Sequence, residues 1–332
     1  MKQIAVIGAG SWGTALAVIA ARAGHNVRLW SRNDAVVSSI NEQHVNSRYL
    51  SSTSIPDSVT ATGDIGAALE DASMVLLAVP SHAARETLIA ITSQLVEDSI
   101  IVNVAKGIEI ESGKRISEIA KEVTGLHPFV ALSGPSFAKE VVAGHPTAIV
   151  AASKDSIAAR TVQNDLSFEN LRIYTNADVV GTEVGGAVKN VMAIAAGMAD
   201  GLGFGANSVA ALITRGLAEI TRLARREGAQ METLMGLAGL GDLVLTCTGN
   251  LSRNRFVGEE LGKGRTLAEI TAALSEVAEG INTARAVKKL ADRAGLEMPI
   301  TNEVNAVLYD GTPARDAVFE LMSRPLREEN PR

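Results

Sequence analysis

Ile4-Ala5-Val6-Ile7-Gly8-Ala9-Gly10-Ser11-Trp12-Gly13, continued by Thr14-Ala15-Leu16-Ala17-Val18-Ile19-Ala20-Ala21, is the stretch of this sequence that decides its fold. The first four residues form an unbroken apolar run, the mark of a strand buried on both faces. The last eight favour helix. Between them stands G-x-G-x-x-G, and strand, glycine turn and helix in that order make a dinucleotide-binding fingerprint. Gly8 suits the tight turn, Gly10 admits a pyrophosphate close to the backbone, and Gly13 lets the helix lie near the strand. Free N–H groups and the dipole at the helix N-terminus favour the anion. The glycines alone would equally suit a plain glycine-rich turn; the flanking strand and helix carry the reading.

The next strand reads as Val27-Arg28-Leu29-Trp30. An NAD site usually places Asp or Glu at this strand's end to bond the ribose 2′-hydroxyl. Here Ser31-Arg32 stands there, a hydroxyl and a guanidinium that suit a 2′-phosphate. NADP(H) is therefore the favoured cofactor, with NAD(H) possible, and a solvated surface charge is the alternative for Arg32. Asn33-Asp34 read as the cap of the following helix.

Farther along, residues 41–62 are polar and read as an irregular surface excursion. Buried strands are then predicted at Met74 to Val79, Ile100 to Ala105, Phe129 to Leu132, Thr147 to Ala152 and Leu171 to Tyr174. Their alternation with helical runs predicts a parallel α/β sheet. Ligands in such sheets bind beyond the carboxyl ends of the strands. Ser81, Lys106, Gly134 and Ser136 all fall at those ends.

From about Asp178 strand-like runs give way to helical patterns, at Thr182 to Met198, Asn207 to Glu227, Arg253 to Leu261 and Thr266 to Leu274. Others follow at Thr283 to Ala294, Thr301 to Tyr309 and Ala314 to Met322. The expected plan is an N-terminal Rossmann-like parallel-sheet domain over 1–178, then an all-helical C-terminal domain over 179–332. A frayed polar tail is expected from Arg327 to Arg332.

Composition narrows the function classes. The 332 residues suit roughly two domains. A net charge of −6 gives no reason to expect nucleic acid or an anionic membrane as partner. One cysteine, Cys247, excludes an internal disulfide. No uninterrupted apolar run is long enough to span a bilayer. The first strand starts directly after Met1-Lys2-Gln3, leaving no signal-peptide n-region, so a cytoplasmic location is expected. The five histidines show no metal-ligand spacing with each other or with Cys247, and no metal site is expected.

The chemistry is expected in the helical half. Gly185 and Gly186 each cost roughly 1 kcal/mol inside a helix relative to alanine, so a ligand or another backbone should press against them. Lys189 follows among small apolar residues. It is either a snorkelling boundary residue or a catalytic group, and the neighbouring glycines favour catalysis. Asn250-Leu251-Ser252-Arg253-Asn254-Arg255 looks like a phosphate grip, with Ser252 as helix cap. Arginine in a first helical turn opposes the dipole, which a bound anion would offset. An ordinary cap beside solvated arginines is the alternative.

These motifs together resemble the NAD(P)-dependent glycerol-3-phosphate dehydrogenases of bacterial type. The resemblance rests on Gly8 to Gly13, Lys106-Gly107, Gly134-Pro135-Ser136-Phe137-Ala138, Glu183 to Asn190, Gly241-Asp242 and Ser252-Arg253-Asn254, in order along essentially the whole chain. It implies reversible reduction of dihydroxyacetone phosphate to sn-glycerol 3-phosphate, for glycerophospholipid synthesis. It makes Lys189 the proton donor and acceptor. Lys106, Gly134, Ser136, Asp242, Ser252, Arg253 and Asn254 would join Lys189 around the substrate. Gly8, Gly10, Ser11, Trp12, Gly13, Arg32, Lys106, Ala138, Arg253, Val277 and Glu279 would line the cofactor. A homodimer is expected. The nearest rival is a β-hydroxyacid dehydrogenase of the same plan, which would need a carboxylate grip in place of Ser252-Arg253-Asn254. A nucleotide-sugar dehydrogenase would need Cys247 as nucleophile. A non-catalytic NADP(H) sensor is the alternative from another class.

Overall fold

The computed structural model describes residues 1–274, 276–326 and 328–329. The described residues form ten strands: β1 (Gln3–Ile7), β2 (Asn26–Trp30), β3 (Val45–Asn46), β4 (Leu50–Ser54), β5 (Val59–Thr62), β6 (Met74–Leu77), β7 (Ile100–Asn103), β8 (Phe129–Ser133), β9 (Thr147–Ala152) and β10 (Leu171–Asn176). Eight of them form one sheet in the order β10-β9-β8-β7-β6-β1-β2-β5, with β3 and β4 paired apart. The helices of this half are α1 (Ser11–Arg22), α2 (Asp34–Gln43), α3 (Ile65–Leu69), α4 (Ala84–Thr92), α5 (Ile116–Thr124), α6 (Ala138–Val142) and α7 (Ser156–Leu166).

Both sheet faces are covered, which is why the strands read as apolar runs rather than alternating ones. Ile4 and Val6 of β1 point into one core with Leu16 and Val18 of α1 and Val162 of α7. Ala5 and Ile7 point into the other with Leu88 of α4 and Ile119 of α5. The sequence winds one way from β1 to β2 and the other way from β1 to β6. The crevice at that switch point is where open α/β sheets bind ligands.

Two expectations for this half need correction. The excursion over 41–62 is largely regular: β3, β4 and β5 lie in it, and β5 extends the main sheet in parallel with β2. Its strands are short and threonine- and serine-rich, so no apolar run announces them. The sheet is also not wholly parallel, because β9 runs antiparallel to β8. Between them the only helix is α6, whose five residues advance about 7 Å, too little to carry the chain back along a strand of roughly 17 Å.

Helices make up the remainder: α8 (Val179–Gly201), α9 (Ala206–Arg226), α10 (Met231–Leu234), α11 (Asp242–Thr248), α12 (Arg253–Gly262), α13 (Leu267–Ala273), α14 (Glu279–Ala294), α15 (Pro299–Tyr309) and α16 (Ala314–Ser323). A π-helical turn at Leu237–Gly241 leads into α11. The short α10, this turn and α11 had no counterpart among the predicted helices. Asp178 caps α8 by accepting the Gly181 N–H at 2.8 Å, and the same carboxylate accepts the Gln230 N–H at 2.8 Å. The expected fraying from Arg327 to Arg332 falls mostly outside the described residues.

The second half is built around α8. It is buried from Val179 to Ala199 apart from Val180, and a helix apolar all round belongs in a core. It is also long and apolar enough to cross a membrane, but its residues are almost all covered by the protein itself. Helix α12 crosses it at backbone contact. A Cβ on Gly197 would lie 2.0 Å from the Arg255 carbonyl oxygen, and one on Gly258 2.0 Å from that of Ile194. Glycine on both sides sets the spacing of this pair and so places the N-terminus of α12.

Candidate active site

The fingerprint turn has the shape its sequence implies. Gly8 holds φ +119°, and a Cβ there would meet the Ala78 carbonyl oxygen at 2.6 Å. A Cβ on Gly13 would lie 2.0 Å from the Gly8 oxygen, so α1 closes tightly on the turn. Gly10, the N-cap, faces open space and supplies no side-chain cap. The amides of Ser11, Trp12 and Gly13 accordingly take no backbone partner among the described residues. The buried Trp12 Nε1 is likewise without one. Open space, free first-turn amides and an unpaired indole N–H fit a dinucleotide pyrophosphate. Arg32 is exposed just beyond β2, with no ion-pair partner among the described residues, and Asn33 caps α2 through the Val36 N–H at 3.2 Å.

The end of β3 and the loop after it, within the stretch expected to be an irregular surface excursion, cover this turn. Buried Asn46 donates to the Ala9 carbonyl at 2.9 Å and to Thr14 Oγ1 at 2.8 Å, and Ser11 Oγ donates to the Tyr49 carbonyl at 2.9 Å.

The second centre lies where the carboxyl ends of β7 and β8 meet α8 and α11. Lys189 Nζ donates to Asp242 Oδ1 at 2.5 Å and to Thr246 Oγ1 at 2.7 Å. Lys106 Nζ donates to Asp242 Oδ2 at 2.7 Å and to the Gly134 carbonyl at 2.9 Å. One carboxylate therefore clamps two ammonium groups, and each keeps one N–H for a ligand oxygen. Lys189 is 5% exposed and Asp242 1%. Burial lowers the Lys189 pKa from its usual value to about 8, the Asp242 charge offsetting part of that and Lys106 adding to it. For Asp242, burial opposes ionisation, but Lys106 and Lys189 together outweigh it and hold the carboxyl below its usual range. Cys247, nearby and buried, has its thiol pushed up to about 12 by burial, which leaves it protonated and a poor nucleophile.

Of the glycines beside Lys189, Gly185 answers to another backbone and Gly186 to a side chain. A Cβ on Gly185 would meet the Ala238 carbonyl oxygen of the π-turn at 2.9 Å, and one on Gly186 would meet Ser133 Oγ at 2.8 Å. Gly239 itself has no room for a side chain, which would strike the Leu234 oxygen at 2.1 Å. These close approaches bring Asp242 under Lys189. Thr246 and Asn190 were not singled out in the sequence. Asp242 and Thr246 stand four apart, on one face of a helix, which was the available signal for Thr246.

The remaining site residues divide into ligand-facing and framework groups. Ser252 caps α12, its Oγ accepting the Arg255 N–H at 3.2 Å. Arg253 is half exposed and paired with Glu276. Asn254 is committed mostly to the framework: Oδ1 accepts the Gly280 N–H at 2.9 Å and Nδ2 donates to Asn190 Oδ1 at 3.0 Å. Asn190 in turn donates to the Lys106 carbonyl at 3.1 Å. Ser136 Oγ donates to the Gly134 carbonyl at 3.0 Å, and Gly134 holds φ +138°. Ala138 opens α6 against the α1 side of the sheet. Val277 is 44% exposed. Glu279 accepts the backbone N–H of Ser81 at 2.8 Å and of Lys106 at 3.2 Å, tying α14 to two strand ends. The Glu183 carboxylate is engaged by Ser117 and Arg115 rather than by the two lysines. It accepts from the Ser117 N–H at 2.8 Å and from Ser117 Oγ at 2.5 Å, and burial raises its pKa. No cluster of metal-ligating side chains occurs among the described residues.

The chain as a whole has clear counterparts among known proteins. Residues 3–159 match the family described as NAD-dependent glycerol-3-phosphate dehydrogenase N-terminus, and residues 178–319 its C-terminus. A glycerol-3-phosphate dehydrogenase (NAD(P)+) from Koribacter versatilis is 53% identical over 334 residues, covering 99% of each chain. One of the same name from Nitratidesulfovibrio vulgaris is 50% identical, covering 98% of this chain and all of its own. The crystal structure of glycerol-3-phosphate dehydrogenase from Coxiella burnetii superposes with a TM-score of 0.95 at 41% identity, over 97% of this chain and 99% of that one. The chain belongs to the NAD-dependent glycerol-3-phosphate dehydrogenase family.

Proposed function

We propose that the protein interconverts dihydroxyacetone phosphate and sn-glycerol 3-phosphate with Lys189 as proton donor and acceptor. The observation that carries this is the Lys189–Asp242–Lys106 array, with Lys189 and Asp242 buried and Lys106 part-buried, at the carboxyl ends of the strands. A nicotinamide cofactor held at the Gly8–Gly13 turn would supply the hydride that reduces the carbonyl carbon. The carbonyl oxygen then needs a proton and, before it, stabilisation of developing negative charge. The free N–H of Lys189 provides both, and the Lys106 ammonium adds positive charge alongside. Asp242 and Thr246 aim the Lys189 ammonium. In the reverse direction the neutral Lys189 amine takes the hydroxyl proton. The reading places the substrate phosphate at the N-terminus of α12, held by Arg253 and Ser252. Glycerophospholipid synthesis is the role proposed for the product, in the cytoplasm, by a homodimer.

NADPH oxidation should proceed with dihydroxyacetone phosphate and fail with unphosphorylated dihydroxyacetone; equal rates with both would remove the phosphate grip. Arg253→Lys keeps the charge but loses the planar fork, and is expected to raise KM for dihydroxyacetone phosphate about tenfold or more. An unchanged KM would place the phosphate elsewhere.

NADP(H) is the cofactor favoured by Ser31-Arg32. Arg32→Ala should weaken NADPH by roughly tenfold to a hundredfold, the worth of one charge-assisted contact, and leave NADH nearly unmoved. Equal losses for both cofactors, measured by fluorescence titration, would refute a 2′-phosphate contact.

A further inference from the structure

Glu276, on the segment between α13 and α14, sits between the two anion-seeking positions. Its carboxylate accepts from Ser11 Oγ, at the start of α1, and pairs with Arg253, at the start of α12. Both helix starts favour negative charge, and the Arg253 guanidinium opposes its own helix dipole unless an anion is near. Ser11 has one hydroxyl proton and two acceptors, the Tyr49 carbonyl and Glu276, so its hold on the carboxylate is shared. The Arg253 side chain is 46% exposed, where an ion pair is weak and easily exchanged. Glu276 thus behaves as an internal anion lodged between the nucleotide turn and the α12 grip.

We infer that Glu276 sets cofactor affinity by occupying, in the ligand-free protein, the anion position between Ser11 and Arg253 that a dinucleotide pyrophosphate takes on binding. The inference rests on the pyrophosphate lying at the N-terminus of α1. Binding then exchanges one anion for another at Ser11 and at one edge of the Arg253 guanidinium, whose five N–H donors leave others for the substrate phosphate, and the displaced carboxylate must leave the neighbourhood of the phosphates. The carboxylate opposes binding through its charge, so salt should mute the effect.

The test is NADPH affinity of the full-length protein by fluorescence titration, for the parent, Glu276→Gln and Glu276→Ala. Thermal melting of each ligand-free variant checks that it is folded. Both variants are expected to bind NADPH about two- to fivefold more tightly at low salt. The difference should vanish near ~1 M salt. Unchanged or weaker binding by the alanine variant at low salt would overturn the inference, as would a gain that persists at high salt. If Arg253→Lys raises KM for dihydroxyacetone phosphate while neither Glu276 variant shifts NADPH affinity, the α12 grip stands and the role of Glu276 falls.

Discussion

Lys189→Met should abolish most turnover, by at least ~10²–10⁴-fold, while NADPH still binds. Methionine keeps the length and apolar bulk of the stem and deletes the ammonium. The fingerprint lies on α1 and the adjoining turn, so its amides and the Trp12 indole are untouched. Asp242 keeps the Lys106 ammonium as partner, so no buried carboxylate is stranded without a counter-charge. The comparison is kcat beside NADPH affinity on one preparation. A variant that binds normally and turns over within tenfold of the parent would take Lys189 out of the mechanism and leave Lys106 as the candidate.

The pH dependence of the parent enzyme gives the same assignment a second readout. Burial puts the Lys189 pKa at about 8. With Lys189 as the proposed proton donor, reduction of the ketone would consume the ammonium, which predominates below that value, so kcat/KM for reduction should hold level and then fall above pH about 8. Oxidation of the alcohol would need the neutral amine. Its kcat/KM should therefore rise about tenfold per pH unit below 8 and level off above it. Lys189→Met should lose both limbs.

A large effect of another kind is expected at the crossing of α8 and α12. Alanine in place of glycine inside a helix ordinarily stabilises it by roughly 0.5–1 kcal/mol. At Gly258 the new Cβ would lie 2.0 Å from the Ile194 carbonyl oxygen and 2.9 Å from the Met198 amide nitrogen. Both are backbone atoms, so relief requires the helices to part. Gly258→Ala should cost about 3 kcal/mol or more, at the upper end of overpacking penalties. Because α12 carries Ser252 and Arg253 at its start, the surviving folded protein should also show a raised KM. Gly205→Ala, at an N-cap with open space around the new Cβ, is the control and should change stability by less than about 1 kcal/mol. Melting curves of the two variants separate the outcomes. A Gly258→Ala variant as stable as its parent would mean that the two helices accommodate the methyl group.

The sequence alone determined the parts of this protein whose cause is local. Ile4 to Ala21 announces its strand, turn and helix because burial on both faces requires an apolar run and the turn admits only small residues at Gly8 and Gly13. The length and apolarity of α8 are likewise legible, since a helix at the centre of a core has no polar face to display. Lys189 stood out as a cation in that setting.

What the tertiary structure alone decided was partnership. The short strands at 45–62 and the reversed direction of β9 depend on which neighbours receive them, and no periodicity within the segments records that. The two glycines beside Lys189 signalled close neighbours, but only the fold shows them to be the π-turn that delivers Asp242, against Gly185, and the Ser133 side chain, against Gly186. Asp242 holds two lysines from different halves of the chain, and Glu279 binds two strand ends from a third element. Asn254 looks like a ligand donor in sequence, yet its amide is mostly taken up by Gly280 and Asn190. Hydrogen-bond partners are set by where elements cross, and those crossings are fixed by glycine contacts and core packing far apart in sequence.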